Sequence, residues 1–179
     1  LIRAYFYLQF KKCHFHNNYC TNNGGAIFSD GNYFSFKYCY FLNNSISNYI
    51  GSVSLLGGGV YVRSKEGVFN ECYFNKNYLF MHPTYASTNN YLEGSAIYSN
   101  SVSTYYYCDF IDNRININGS NGCVHTNTGG CAIYSTAKSD IDLCTFKSNI
   151  IHIIGSFDHF YQIIGGSALF MTSQLSCTE

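Results

Sequence analysis

Apolar positions in this chain recur in short alternating runs, and the spacing between runs is nearly constant. The frame Cys-x-Phe-x-x-Asn occurs at Cys13 to Asn18, Cys39 to Asn44, Cys72 to Asn77, Cys108 to Asn113 and Cys144 to Asn149. A second signature precedes four of these: Gly24-Gly25-Ala26-Ile27-Phe28, Gly57-Gly58-Gly59-Val60-Tyr61, Gly94-Ser95-Ala96-Ile97-Tyr98 and Gly130-Cys131-Ala132-Ile133-Tyr134. A fifth copy, Gly166-Ser167-Ala168-Leu169-Phe170, opens a further unit. No stretch keeps apolar residues at i, i+3, i+4 and i+7 over a dozen positions, so helical repeats are excluded. Alternation with period two predicts strands.

The distances within and between units identify the kind of repeat. From first Gly to Asn the units span 24–44, 57–77, 94–113 and 130–149, a core of 20 or 21 residues. The intervening stretches vary: 19–23, 45–56, 78–93, 114–129 and 150–165. A constant core with variable insertions at one place is the signature of a solenoid. Three short strands per turn are expected. The aliphatic column (Ile27, Val60, Ile97, Ile133, Leu169) faces inward, with Ala and the following aromatic outward, and Tyr98 and Tyr134 stack outside with their hydroxyls in water. Three residues before each Cys stands Phe10, Phe36, Phe69, Tyr105 or Ile141. In the third strand Cys and Phe face in. They alternate with the mixed column His14, Tyr40, Tyr73, Asp109 and Thr145, which tolerates charge and faces out. The structural columns are thus Cys39, Cys72, Cys108 and Cys144; Phe41, Phe74, Phe110 and Phe146; and Asn44, Asn77, Asn113 and Asn149. The asparagines are expected at left-handed corners, their amides forming a ladder between coils. The fold class is all-β: a parallel β-helix of about five coils, loops inserted at one edge, forming one domain over 1–179. The chain is read as a piece of a longer solenoid that continues into further repeats, its end caps lying elsewhere.

At this point the residues resemble a known family. Alternating Gly-Gly-Ala-Ile and Phe-x-x-Asn tetrapeptides are similar to the polymorphic outer membrane protein repeat of chlamydial and trichomonad surface proteins. The resemblance spans about Phe10 to Phe170, and departs from the pattern at Ser95, Cys131 and Ser167, where the second Gly is replaced. It implies a right-handed, pectate-lyase-like β-helix displayed at the cell surface, with adhesive and antigenic roles. Outer-membrane insertion is not implied, and the trichomonad comparison suits this Asn- and Tyr-rich chain better.

Composition narrows the function classes. Ten Lys and Arg balance ten Asp and Glu, so bulk charge points to no nucleic-acid partner. No run approaches eighteen apolar residues, so no membrane-spanning helix is expected. Nine cysteines is a high and odd number. Five occupy one repeat column and are read as free buried thiols, because side chains stacked on parallel strands point the same way and disfavour bridging.

Candidate chemistry is sparse. A polysaccharide lyase or hydrolase needs carboxylates clustered on one external face. The nearest groupings are Asp109 with Asp112 and Asp140 with Asp142, read as solvated surface groups. His14 and His16 flank an inward Phe15 and point outward; with Cys20 they do not complete a metal site. No cofactor is implied. Sequons stand at Asn43-Asn44-Ser45 and Asn118-Gly119-Ser120. The segment 150–165 is too apolar for an exposed loop. It is read either as an additional strand packed on the coil or as an adhesive patch carrying His152, Asp158, His159 and Tyr161. The reading is therefore a non-enzymatic scaffold of a surface or secreted protein that binds a host-cell or extracellular protein or glycan. The alternatives are a carbohydrate-active β-helix and an intracellular structural solenoid.

Overall fold

The computed structural model describes residues 2–4, 7–48, 54–82, 87–120, 123–156, 159–164, 166–173 and 175–178. The chain is all-β, and its strands stack as a parallel β-solenoid with five walls, here called sheets A to E. Among the described residues the walls are six, six, five, five and four strands deep. Strands of successive coils pair in register, so Val60 lies between Ile27 and Ile97, and Phe74 between Phe41 and Phe110. Like therefore stacks on like.

Sheets A, B and C enclose the larger core. The Phe15–Phe41–Phe74–Phe110–Phe146 column stacks at 4.7–5.0 Å between ring centroids, which is the strand spacing itself. Phe10, Phe36, Phe69 and Tyr105 form a second inner column. The aliphatic column and the Cys column complete this core, together with Ala26, Ala96 and Ala132. These alanines were expected on the outer face. They are buried because the chain folds inward where they occur.

The stretches expected as loops are walls. Ser45–Asn48, Tyr78–Met81, Arg114–Ser120 and Ile150–Ser156 stack in sheet D, with Tyr19–Cys20 at its end. Ser54–Leu56, Ser87–Glu93, Cys123–Gly129 and His159–Ile164 stack in sheet E. Among the described residues the first turn accordingly has four strands and the next four turns have five, where three were expected, and 150–165 takes the additional-strand reading. Ile46, Leu55, Leu79, Met81, Leu92, Ile115 and Ile117 form a second, smaller core between these sheets.

The two repeat signatures meet at the waist between the cores. A Cβ on Gly25 would stand 2.9 Å from the Ser45 carbonyl oxygen, and one on Gly58 2.9 Å from that of Tyr78. The glycine segment thus passes against the asparagine corner across the coil, and the missing side chain permits that approach. Where Cys131 replaces the second Gly, its Sγ lies 3.0 Å from the Asn113 carbonyl and 3.1 Å from that of Ile150, completing the same contact with a small buried thiol.

The corners differ from expectation by one residue. Left-handed backbone is adopted by the residue before each Asn (Asn17, Asn43, Lys76, Asp112, Ser148) and by the residue before each Cys (Lys12, Tyr38, Glu71, Tyr107, Leu143). The asparagines themselves are turned inward as a ladder. Asn44 donates from Nδ2 to the Asn77 Oδ1 at 3.0 Å and to the Phe15 carbonyl at 2.9 Å. Asn77 and Asn113 repeat the pattern one coil on.

Candidate functional site

Side-chain variety concentrates on the outer face of sheet C, whose three-residue strands leave a narrow band between two corners. Both corners carry open grooves. The groove at the B–C corner, about 490 Å³, is lined by Tyr38, Tyr40, Glu71, Cys72, Tyr73, Tyr107 and Asp109. The groove at the C–D corner, about 650 Å³, is lined by Asn17, Asn43, Ser45, Lys76, Tyr78, Asp112 and Arg114.

The lining of each groove follows from the repeat. Tyr40, Tyr73 and Asp109 occupy one outward column of sheet C, paired across coils. Tyr38, Glu71 and Tyr107 are the left-handed residues before the cysteines. That backbone state turns the side chain away from the core and over the corner. Lys76 and Asp112 do the same before the asparagines, opposite Tyr78 and Arg114, which begin sheet D.

The rings of the B–C groove are fixed in place. His14 stacks on Tyr40 at 4.7 Å, Tyr40 faces Tyr73 at 5.9 Å, and Tyr106 meets Tyr107 edge-on at 4.4 Å. The Tyr73 hydroxyl accepts a hydrogen bond from Asn75 Nδ2 at 3.2 Å. Tyr40 and Tyr107 are exposed. Among the described residues, neither Glu71 nor Asp109 has an ion-pair partner within 4.0 Å, and the same holds for Lys76, Asp112 and Arg114.

A third external feature is a stacked aromatic ladder on sheet A: Phe28, Tyr61, Tyr98, Tyr134 and Phe170, with centroids 4.7–5.5 Å apart. Its hydroxyls were expected in water. Instead the ladder runs beside Glu93, a buried carboxyl pushed up to about 7 by burial, a shift that Tyr134 opposes. Burial also raises Tyr98 to about 12, with Glu93 adding to the shift.

The thiols are held as small core groups. Cys13, Cys20, Cys39, Cys72, Cys108, Cys131 and Cys144 are free. Burial pushes Cys131 up to about 11 and Cys108 well above the ordinary range, which makes both unreactive.

The sequence-derived candidates fall on two sheets, with His159 and Tyr161 two residues apart in one strand. His152 is exposed on the outer face of sheet D, paired with Asn116. His159 and Tyr161 lie in a strand of sheet E, paired with Cys123 and His125, and their side chains are outside the described residues. Asp158 is also outside the described residues. Asp109 and Asp112 fall into different grooves, Asp109 with Glu71 and Asp112 with Lys76 and Arg114. Asp140 lies 3.5 Å from Lys138 on sheet B. Among the described residues no group of three or more His, Cys, Asp or Glu side chains is placed to hold a metal, and no helix is long and apolar enough to cross a membrane. The sequence reading missed Tyr38, Glu71 and Tyr107. The available signal was their shared position, one residue before each cysteine.

No family model, curated protein or solved structure matches the chain.

Proposed function

We propose that the chain is a recognition segment of a surface or secreted β-helix protein, and that the outer face of sheet C with its two grooves is the binding surface. One observation carries this reading. The repeat makes the interior uniform, whereas the corners of sheet C present exposed aromatic and unpaired charged side chains along adjacent open grooves. Such side chains contribute little to folding and are suited to contact with a partner. The resemblance to polymorphic outer membrane protein repeats supports a right-handed coil and adhesive display at a cell surface.

A carbohydrate-active reading has one supporting observation, that Glu71 and Asp109 share a tyrosine-lined groove. The two readings differ in products: an enzyme releases shortened or unsaturated chains from polysaccharide, and a recognition segment releases none. Binding is tested with the fluorescently labelled chain on cultured cells and glycan arrays. Tyr40→Ala with Tyr107→Ala, and separately Lys76→Gln with Arg114→Gln, probe the two grooves. Loss of binding in either pair supports the reading; full binding in both, on folded protein, removes sheet C from it.

A further inference from the structure

The B–C groove carries a more specific chemistry than its neighbour. Its lining contains four tyrosine rings and two carboxylates, with the Lys37 ammonium beside it over the Tyr38 ring. Tyrosine faces are negative in their quadrupole and attract ammonium and guanidinium groups, and unpaired carboxylates add to that field. We propose that this groove binds a basic protein segment, taking its Lys or Arg side chains between the tyrosine faces and the Glu71 and Asp109 carboxylates. The inference rests on sheet C being the binding surface and names the class of partner for one of its two grooves.

Two independent observations lead there. The first is charge complementarity: neither carboxylate is matched within the described chain, so a cationic partner would supply what the fold leaves unmatched. The second is that the chain already places a cation on one of these rings, with Lys37 Nζ lying 5.0 Å from the Tyr38 ring centroid. A tyrosine at this corner therefore already holds an ammonium group on its face, while Tyr40 and Tyr107 remain exposed to a partner. The corner backbone then sets where these side chains stand. Lys12, Tyr38, Glu71, Tyr107 and Leu143 all hold left-handed φ before their cysteines, so this conformation belongs to every coil. What distinguishes the groove is that the three central coils place Tyr38, Glu71 and Tyr107 there, each turned outward over the corner.

The geometry is preorganised for this partner. Tyr40 is clamped between His14 and Tyr73, Tyr107 is buttressed by Tyr106, and the Tyr73 hydroxyl is held by Asn75. Little side-chain ordering remains to be done on binding. The C–D groove, with Lys76 and Arg114 in its lining, has the wrong charge for the same ligand.

The test is calorimetric titration of the full chain with a blocked hexa-arginine peptide, with cellohexaose as a neutral glycan and hexaglutamate as a charge control. Hexa-arginine is expected to bind, and to weaken roughly tenfold between low and physiological salt. Glu71→Gln with Asp109→Asn, and Tyr40→Ala with Tyr107→Ala, are each expected to weaken it roughly tenfold, while Lys65→Gln, at an exposed position that lines neither groove, leaves it unchanged. Far-UV circular dichroism confirms that each variant is folded. Failure of hexa-arginine to bind overturns the proposal, as does binding that the groove substitutions do not alter. Binding of cellohexaose in place of hexa-arginine, abolished by the tyrosine substitutions, assigns the groove to glycans and also overturns it. In that case cell adhesion still responds to sheet C substitutions, so failure of the inference is distinguishable from failure of the broader reading.

Discussion

Asn77 Oδ1 accepts two hydrogen bonds from Asn44 of the preceding coil, one from the backbone N–H at 3.2 Å and one from Nδ2 at 3.0 Å. Both residues are fully buried. Removing the amide leaves the Asn44 N–H without a partner and takes one hydrogen bond each from the Phe41 carbonyl and the Asn113 Oδ1. Asn77→Ala is therefore expected to cost about 3–4 kcal/mol in urea denaturation. Asn18→Ala, at the half-buried end of the ladder, is expected to cost about 1 kcal/mol or less. Equal losses at the two positions would show that burial does not set the strength of the ladder.

The waist sets a stricter limit. A Cβ at Gly58 would come within 2.3 Å of the Ser95 carbonyl oxygen as well as the 2.9 Å contact with Tyr78, and both obstacles are backbone. Gly58→Ala is expected to destabilise by about 3 kcal/mol or more, or to prevent recovery of folded protein. Ser95 and Cys131 occupy the equivalent position in later coils, where Ser95 Oγ donates to the Cys131 carbonyl. Ser95→Gly is consequently expected to be far milder. Comparable thermal shifts for the two changes would refute the close-approach account.

Stability should fall as the pH rises through the ionisation of Glu93. Its carboxyl is raised from 4.5 to about 7 in the folded chain by burial. Between those values the folded state holds a proton that the unfolded state has lost, so unfolding becomes easier with increasing pH and levels off above about 7. The span amounts to about 3 kcal/mol. Glu93→Gln is expected to flatten that part of the profile of urea midpoints measured between about pH 4.5 and 7.5. A profile for Glu93→Gln parallel to that of the parent would assign the slope to other groups.

Thiol titration of denatured, unreduced protein is expected to return at least the seven free cysteines placed by the structure. In native protein near pH 8 the half-buried Cys13 and Cys20 should react with iodoacetamide well before Cys131, which remains protonated until about 11. Mass mapping of the first alkylated positions checks the order.

The groove tyrosines should separate binding from folding. Tyr40 and Tyr107 are 42 % and 50 % exposed, so truncation of either removes little buried surface. Tyr40→Ala and Tyr107→Ala are each expected to change stability by less than about 1 kcal/mol, whereas Phe74→Ala in the core should cost about 3–5 kcal/mol. Denaturation curves with large losses at Tyr40 or Tyr107 would make those rings structural.

The sequence by itself determined the three walls around the larger core. In a parallel solenoid each residue stacks on its counterpart one coil away, so Cys72, Phe74 and Asn77 can be read from Cys39, Phe41 and Asn44. Alternation then shows which columns face inward. Tertiary structure decided what such columns do not encode. Sheets D and E draw on stretches of unequal length and unlike sequence, such as 45–56 and 150–165, and become walls because the preceding coil supplies their hydrogen-bonding partners. The burial of Ala26 and the left-handed backbone at Asn43 in place of Asn44 are likewise decided by how the coil closes on itself. The B–C groove joins Tyr38, Glu71 and Tyr107 from three different coils; their distance along the chain hides a proximity that the stacking of strands creates.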